Sequence, residues 1–108
     1  MSQQTIFDIQ AGLCQAMASP LRIEIMHLLR DGPLSVTDIA SAANNSPATI
    51  SRNLTTLRNA GIVDAHREGS RIFYHIANPK LMSVCDLMRE VLTEQFGKDS
   101  KLMNSFQE

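Results

Sequence analysis

The side chains with most scope for chemistry fall into two sets. Cys14 and Cys85 are the two thiols of the 108-residue chain. Thiolates are soft ligands and reductants, so a pair brought together could bind a soft ion such as As(III), or close a disulfide or sulfur bridge. Each also sits on an apolar stripe, where a free cysteine is a small buried hydrophobe. The second set is Arg52, Arg58, Arg67 and Arg71, the bases of residues 46–75, set against Asp64 and Glu68. That segment is net +2, whereas residues 1–45 are net −2 and residues 76–108 net −1. Arginine presents a planar fork of donors that fits phosphate oxygens and guanine edges, where lysine offers a point charge. His27, His66 and His75 stand apart in the sequence and read as structural or surface residues.

Other chemistries are excluded by composition. No Gly-rich phosphate loop, His-Glu metal helix or nucleophile-base arrangement is present, so the chain does not read as an enzyme. At 44% hydrophobic and 19% charged residues with a net charge of −1, it reads as one folded, soluble domain over 1–108. A chain of this size buries roughly 65% of its extended surface, enough for one modest core. Its apolar runs fall short of the ~18 residues of a membrane span. Met1-Ser2-Gln3-Gln4-Thr5 carries no positive region followed by a continuous apolar block, so no signal peptide is expected. Two cysteines cannot staple a disulfide scaffold. A cytoplasmic protein with no membrane contact is the expectation.

The elements that must position these groups are marked by a recurring device. Ser19-Pro20, Ser46-Pro47 and Asn78-Pro79 each place a capping side chain before a proline, which suits the first helical position. A first helix over 5–18 carries Ile6, Ile9, Leu13 and Met17 at helical spacing. Phe7, Ala11, Cys14 and Ala18 form a second stripe beside it, so this helix needs covering on two sides. The helix from Pro20 buries Leu21, Ile25, Leu28 and Leu29 and ends at Gly32-Pro33. A short helix then starts at Ser35, with Asp38 completing a capping box and Leu34 and Ile39 placed as a staple. Asn44-Asn45 makes the turn into the helix from Pro47, which ends at Gly61. Its inward residues are Ile50, Leu54 and Leu57, and its opposite face holds Thr49, Ser51, Arg52, Thr55 and Arg58. Residues 62–67 and 71–76 read as two strands joined by hairpin chemistry at Glu68-Gly69-Ser70. A last helix over 78–96 has the stripe Leu81, Cys85, Met88, Leu92 and Phe96, and residues 97–108 read as a frayed tail.

The order predicts a mainly α fold with a small β-hairpin: a winged helix-turn-helix with five helices, the helix-turn-helix over 35–60 and the wing over 62–76. The helix from Pro47 has one aliphatic face to anchor it. Its other face of short hydroxyls and arginine can approach base edges and phosphates of a DNA groove.

Four blocks in order resemble the ArsR/SmtB family of bacterial winged-helix repressors. They are the run from Gln15 to Leu29, with Ala18-Ser19-Pro20-Leu21-Arg22 at its centre; Leu34-Ser35-Val36-Thr37-Asp38-Ile39-Ala40; Ser46 to Val63; and Arg67-Glu68-Gly69-Ser70-Arg71-Ile72-Phe73-Tyr74. Together they cover about residues 13–77. The resemblance implies a homodimeric transcriptional repressor that dimerises through its first and last helices and binds an imperfect palindrome of double-stranded DNA, one recognition helix per half-site. Carried over by position, Ser46, Pro47, Ala48, Thr49, Ser51, Arg52 and Thr55 would face the groove, and Arg67, Ser70 and Arg71 would serve the wing. Asn53 stands where the family often has histidine, which implies an altered base preference. A winged helix used as a protein-interaction module is the alternative reading.

Family members usually release DNA when a metal, metalloid or oxidant binds. The thiolate site that resemblance would imply needs a Cys-x-Cys pair on the helix before the recognition helix, but Val36-Thr37-Asp38-Ile39-Ala40-Ser41 has no cysteine. A second site uses Asp, His and Glu on the last helix, which here has Asp86, Glu90 and Glu94 and no histidine. A redox subgroup has a cysteine in the second helix, near Met26 and His27. No resident metal and no required cofactor are therefore expected. Cys14 and Cys85 remain as the candidate inducer site, for As(III) or another thiophilic species, beside a repressor with no small-molecule inducer.

Overall fold

The computed structural model describes residues 3–97. Five helices, α1 (Ile6–Met17), α2 (Pro20–Leu28), α3 (Val36–Ala43), α4 (Pro47–Asn59) and α5 (Lys80–Phe96), are combined with three strands, β1 (Leu34–Ser35), β2 (Val63–Glu68) and β3 (Arg71–Ile76). A single 3-10 turn, Leu29–Asp31, follows α2. The chain divides into two compact units, one running to Asn78 and one beginning at Pro79. The expected fraying of residues 97–108 lies, beyond Gly97, outside the described residues.

Local chemistry sets the element boundaries of the first unit. Thr5 and Asp8 exchange side-chain and backbone hydrogen bonds in a capping box that opens α1. Ser19 and Ser46 accept from the N–H groups of Arg22 and Thr49, with Pro20 and Pro47 at the first helical positions. Ser35 and Asp38 form the second capping box, at α3. That helix ends on Asn44 in the left-handed conformation, φ 52° and ψ 52°, so the chain turns sharply toward α4. Asparagine tolerates this region because its short polar side chain can bond locally. At α5 the pattern differs from the sequence expectation: the helix begins at Lys80, Pro79 precedes it, and no side-chain capping bond is made by Pro79.

The core of the first unit is aliphatic. Ile25, Met26, Leu29, Ile39, Ile50, Leu54, Leu57, Ile62 and Val63 are all fully buried. Each contributes roughly 1.5–3 kcal/mol of hydrophobic free energy. Helices α2, α3 and α4 supply six of these and the 3-10 turn after α2 supplies Leu29, which fixes the helix-turn-helix as one packed body. On α1, Met17 and Ala16 are buried and Leu13 half-buried, whereas Ile6 and Ile9 are 68% and 55% exposed and Phe7 is 78% exposed. The N-terminal two turns of α1 thus present apolar side chains on both stripes. In the second unit, Val84, Leu87, Met88, Val91, Leu92 and Phe96 of α5 are exposed as well.

The hairpin gains a third strand. The sheet order is β1-β3-β2, all antiparallel, with Leu34 opposite Tyr74 and Ser35 opposite Phe73. A two-residue strand carries no periodicity, so it leaves no mark in the sequence. Across β2 and β3 the register runs from Val63 opposite Ile76 to Glu68 opposite Arg71. The connecting Gly69 has φ +62°, the positive value that a tight two-residue hairpin turn requires.

Candidate nucleic-acid interface

The outer face of α4 is built outward from its buried face. With Ile50, Leu54 and Leu57 fixed in the core, the 100° step of the helix turns Ala48, Ser51, Arg52 and Thr55 to solvent, and all four are exposed. Ser46 and Pro47 are exposed at the helix start. The Ser46 hydroxyl accepts from the Thr49 N–H at 3.1 Å and donates to Thr49 Oγ1 at 2.8 Å. Arg52 donates to the same Oγ1 at 3.4 Å. Thr49 is therefore half-buried and occupied within the first turn, unlike its neighbours. Thr55 donates its hydroxyl hydrogen to the Ser51 carbonyl at 3.0 Å, which leaves its oxygen as an outward acceptor. The helix start adds the positive end of the dipole, which suits a phosphate.

The wing divides its two arginines. The register puts Arg67 on the face shared with Ala65, Ile72 and Tyr74, and Arg71 on the opposite face with Phe73, His66 and His75. Arg67 and Ser70 are exposed. Arg71 is exposed too but tied to the start of α3: it donates to Ser35 Oγ at 3.0 Å, lies 3.7 Å from Asp38 Oδ2, and sits 5.1 Å over the Phe73 ring. Ser35 holds the Asp38 carboxyl below the usual carboxylate range through its hydroxyl and N–H, with Arg71 adding a smaller push the same way. Arg71 thus anchors the wing to the start of α3. The expectation that the histidines stand apart is corrected for two of them, because the strand pairing brings His66 Nδ1 to 3.3 Å from His75 Nδ1. His66 also contacts Glu68 Oε1 at 3.4 Å through Nε2.

Behind the face lies a connection that the sequence reading missed. Arg22, half-buried on α2, donates through Nε to the Ala16 carbonyl at 2.6 Å and through Nη2 to the Gln15 carbonyl at 3.4 Å. Both carbonyls lie in the last turn of α1, where a cation also meets the negative end of the helix dipole, and the Gln15 carbonyl accepts from the Ala18 N–H as well. Its Nη1 donates to Asn53 Oδ1 at 3.2 Å, and Asn53 Nδ2 donates to the Thr49 carbonyl at 2.8 Å. Asn53 is half-buried and has its amide engaged at both ends in this network. Arg22 at the third position of a Ser-Pro-capped helix was the available signal, since such a side chain reaches back over the preceding helix end.

Cys14 is exposed on α1, so it is not a buried hydrophobe in the protomer. Cys85 on α5 is half-buried. Among the described residues no group of three or more His, Cys, Asp or Glu side chains is gathered as a metal site, and no helix is long and apolar enough to cross a membrane.

Comparison with known proteins places this architecture. The sequence profile described as "Bacterial regulatory protein, arsR family" matches residues 19–65. A Mycobacterium tuberculosis protein, the HTH-type transcriptional regulator Rv0081, is 31% identical over 93 residues, which cover 85% of this chain and 82% of that protein. The chain belongs to the ArsR family of bacterial regulatory proteins. Its fold agrees with that of a homodimeric winged helix-turn-helix DNA-binding domain from Mycobacterium bovis, with a TM-score of 0.77 at 33% identity over 89% of this chain and 94% of that one. Other ArsR-type relatives include the regulator NmtR of M. tuberculosis, 38% identical over 70% of this chain, and the cadmium resistance regulator CadC of Listeria innocua, 33% identical over 71%. The match spans 63% of NmtR and 66% of CadC, just under two thirds of each.

Proposed function

We propose that this ArsR-family chain is a cytoplasmic transcriptional repressor that binds an operator palindrome in double-stranded DNA as a homodimer. The observation that carries the reading is α4: fully buried Ile50, Leu54 and Leu57 on one side, exposed Ala48, Ser51, Arg52 and Thr55 on the other. Ser46, Pro47 and Thr49 shape the start of this reading face, and Arg67 and Ser70 extend it at the wing tip. Arg71 joins them by holding the wing in place. The exposed apolar side chains of α1 and α5 are the surfaces that a second copy would cover, and the M. bovis domain of the same fold is homodimeric. Two copies would set their α4 helices about 34–36 Å apart, one turn of duplex. Selection of duplexes from a random-sequence pool tests this. The expected result is enrichment of an inverted repeat with half-sites about one turn apart, and no enrichment of any sequence would refute it.

The inducer belongs to the same proposal. The exposure of Cys14 favours a thiol-reactive signal, a metalloid such as As(III), an oxidant or reactive sulfur, acting at Cys14 and Cys85. Repacking of the subunits would then misplace the two reading helices. Cys14→Ser and Cys85→Ser should each abolish release of bound DNA by As(III), peroxide or polysulfide. Unchanged release in both variants would remove the thiols from the mechanism.

A further inference from the structure

We propose that Arg22 and Asn53 are positioning residues of the DNA-reading face: neither meets DNA, and together they set the rotation of α4 about its own axis. The inference deepens the DNA-binding reading and rests on it.

The apolar face of α4 leaves its exact rotation undetermined. Ile50, Leu54 and Leu57 fix which side of α4 is buried, but aliphatic side chains interact without direction and tolerate small rotations. Side chains of a helix reach about 5–6 Å from its axis, so a 20° rotation moves an outward group by roughly 2 Å. That displacement is most of a hydrogen-bond length and outside the tolerance of about 0.5 Å that a recognition contact allows. A directional contact is needed on the flank of the helix, and Asn53 provides one.

Around the α4 axis, Asn53 lies at the edge of the buried face, Thr49 lies next to it, and Arg52 follows at the outer face. The Asn53 amide is satisfied at both ends. Its oxygen accepts from Arg22 Nη1, and its nitrogen donates to the Thr49 carbonyl. Arg22 as a donor leaves one orientation of the amide. Arg22 is held in turn by the Ala16 and Gln15 carbonyls at the end of α1. The series continues outward through Thr49, whose Oγ1 accepts from Ser46 and from Arg52. One hydrogen-bonded path therefore runs from the end of α1, through α2, to the arginine of the reading face.

The test measures affinity for two duplexes: one selected by the wild-type protein from a random pool, and a scrambled duplex of the same length and composition. For Asn53→Ala and Arg22→Ala, binding to the selected duplex should fall about tenfold or more, with less than about twofold change on the scrambled one. The double variant should be no worse than either single one, since both remove the same link. Asn53→His should recover most of the loss, because neutral imidazole supplies one acceptor and one donor. Should Arg22→Ala fail to fold, Arg22→Lys keeps the charge at the α1 terminus but loses the fork, and the same loss is expected.

Equal losses on both duplexes, in step with a lowered thermal midpoint and without recovery in Asn53→His, would mean that the pair serves only the fold and would overturn the proposal. So would wild-type affinity in all variants. If the wild-type protein selects no duplex, the DNA-binding reading fails by itself. The clamp is then read from amide hydrogen exchange in the first turns of α4 without DNA: faster exchange in Asn53→Ala is the expected result, and unchanged exchange would contradict it.

Discussion

Arg52 is the side chain on which the proposed reading face most depends. It is the exposed guanidinium of the first two turns of α4, and its hydrogen bond to Thr49, at 3.4 Å, is long enough to be exchanged for a base or phosphate. Arg52→Ala should lose at least ~1 kcal/mol of binding to the selected duplex, the ordinary worth of one good base contact. Titration of that duplex with both proteins measures it, and equal affinities would take Arg52 out of the interface. Arg71 behaves differently although the sequence presents it as Arg67's twin. Pairing register sends the two to opposite faces, and the Ser35 hydroxyl claims Arg71. Two arginines flanking a hairpin tip look equivalent until the register is known, because side-chain direction alternates with every residue. Arg22 escaped attention for a related reason. Its partner Asn53 lies 31 residues away, and a link of that separation has no signature in a single sequence.

At the scale of elements, boundaries were legible wherever they depend on a few adjacent residues. The Ser-Pro starts of α2 and α4, the Ser35–Asp38 box and the turn at Asn44 are all local chemistry, and all appear where the sequence reading placed them. Strand β1 was not legible, because its pairing with β3 is made across 39 or so residues by two residues of no distinctive type. The α3 cap also carries a pH dependence. Asp38 is held below the ordinary carboxylate range, so its folded form binds a proton less readily than the unfolded chain. Its contribution is complete above the unfolded value of about 3.9 and is lost as pH falls through the lower folded value. Asp38→Asn should therefore lower stability near neutral pH and flatten the decline below about pH 4, read from Tm as a function of pH. Parallel curves for the two proteins would show that this cap carries no proton linkage. The Thr5–Asp8 box on α1 has the same sign, as Asp8 is also held low by Thr5.

For the whole molecule, periodicity and burial answered different questions. The stripes on the first and last helices were visible in the sequence, but periodicity says only that a face needs cover, not what covers it. Ile6, Phe7 and Ile9 on α1, and Leu87, Met88 and Val91 on α5, remain open in one protomer. Apolar exposure of this kind on each helix marks an interaction surface, and a second copy is the occupant proposed above. Net charge says little by itself, since −1 for the chain hides a segment of +2 that holds the reading helix and the wing. Local arginines, rather than overall charge, are what an acidic duplex would meet. The most direct measurement of the central claim is the salt dependence of binding to a selected duplex. A dimer making about 6–8 phosphate contacts predicts that log K falls against log[salt] with a slope of about −5 to −7. A slope near zero, or no complex at low salt, would contradict it.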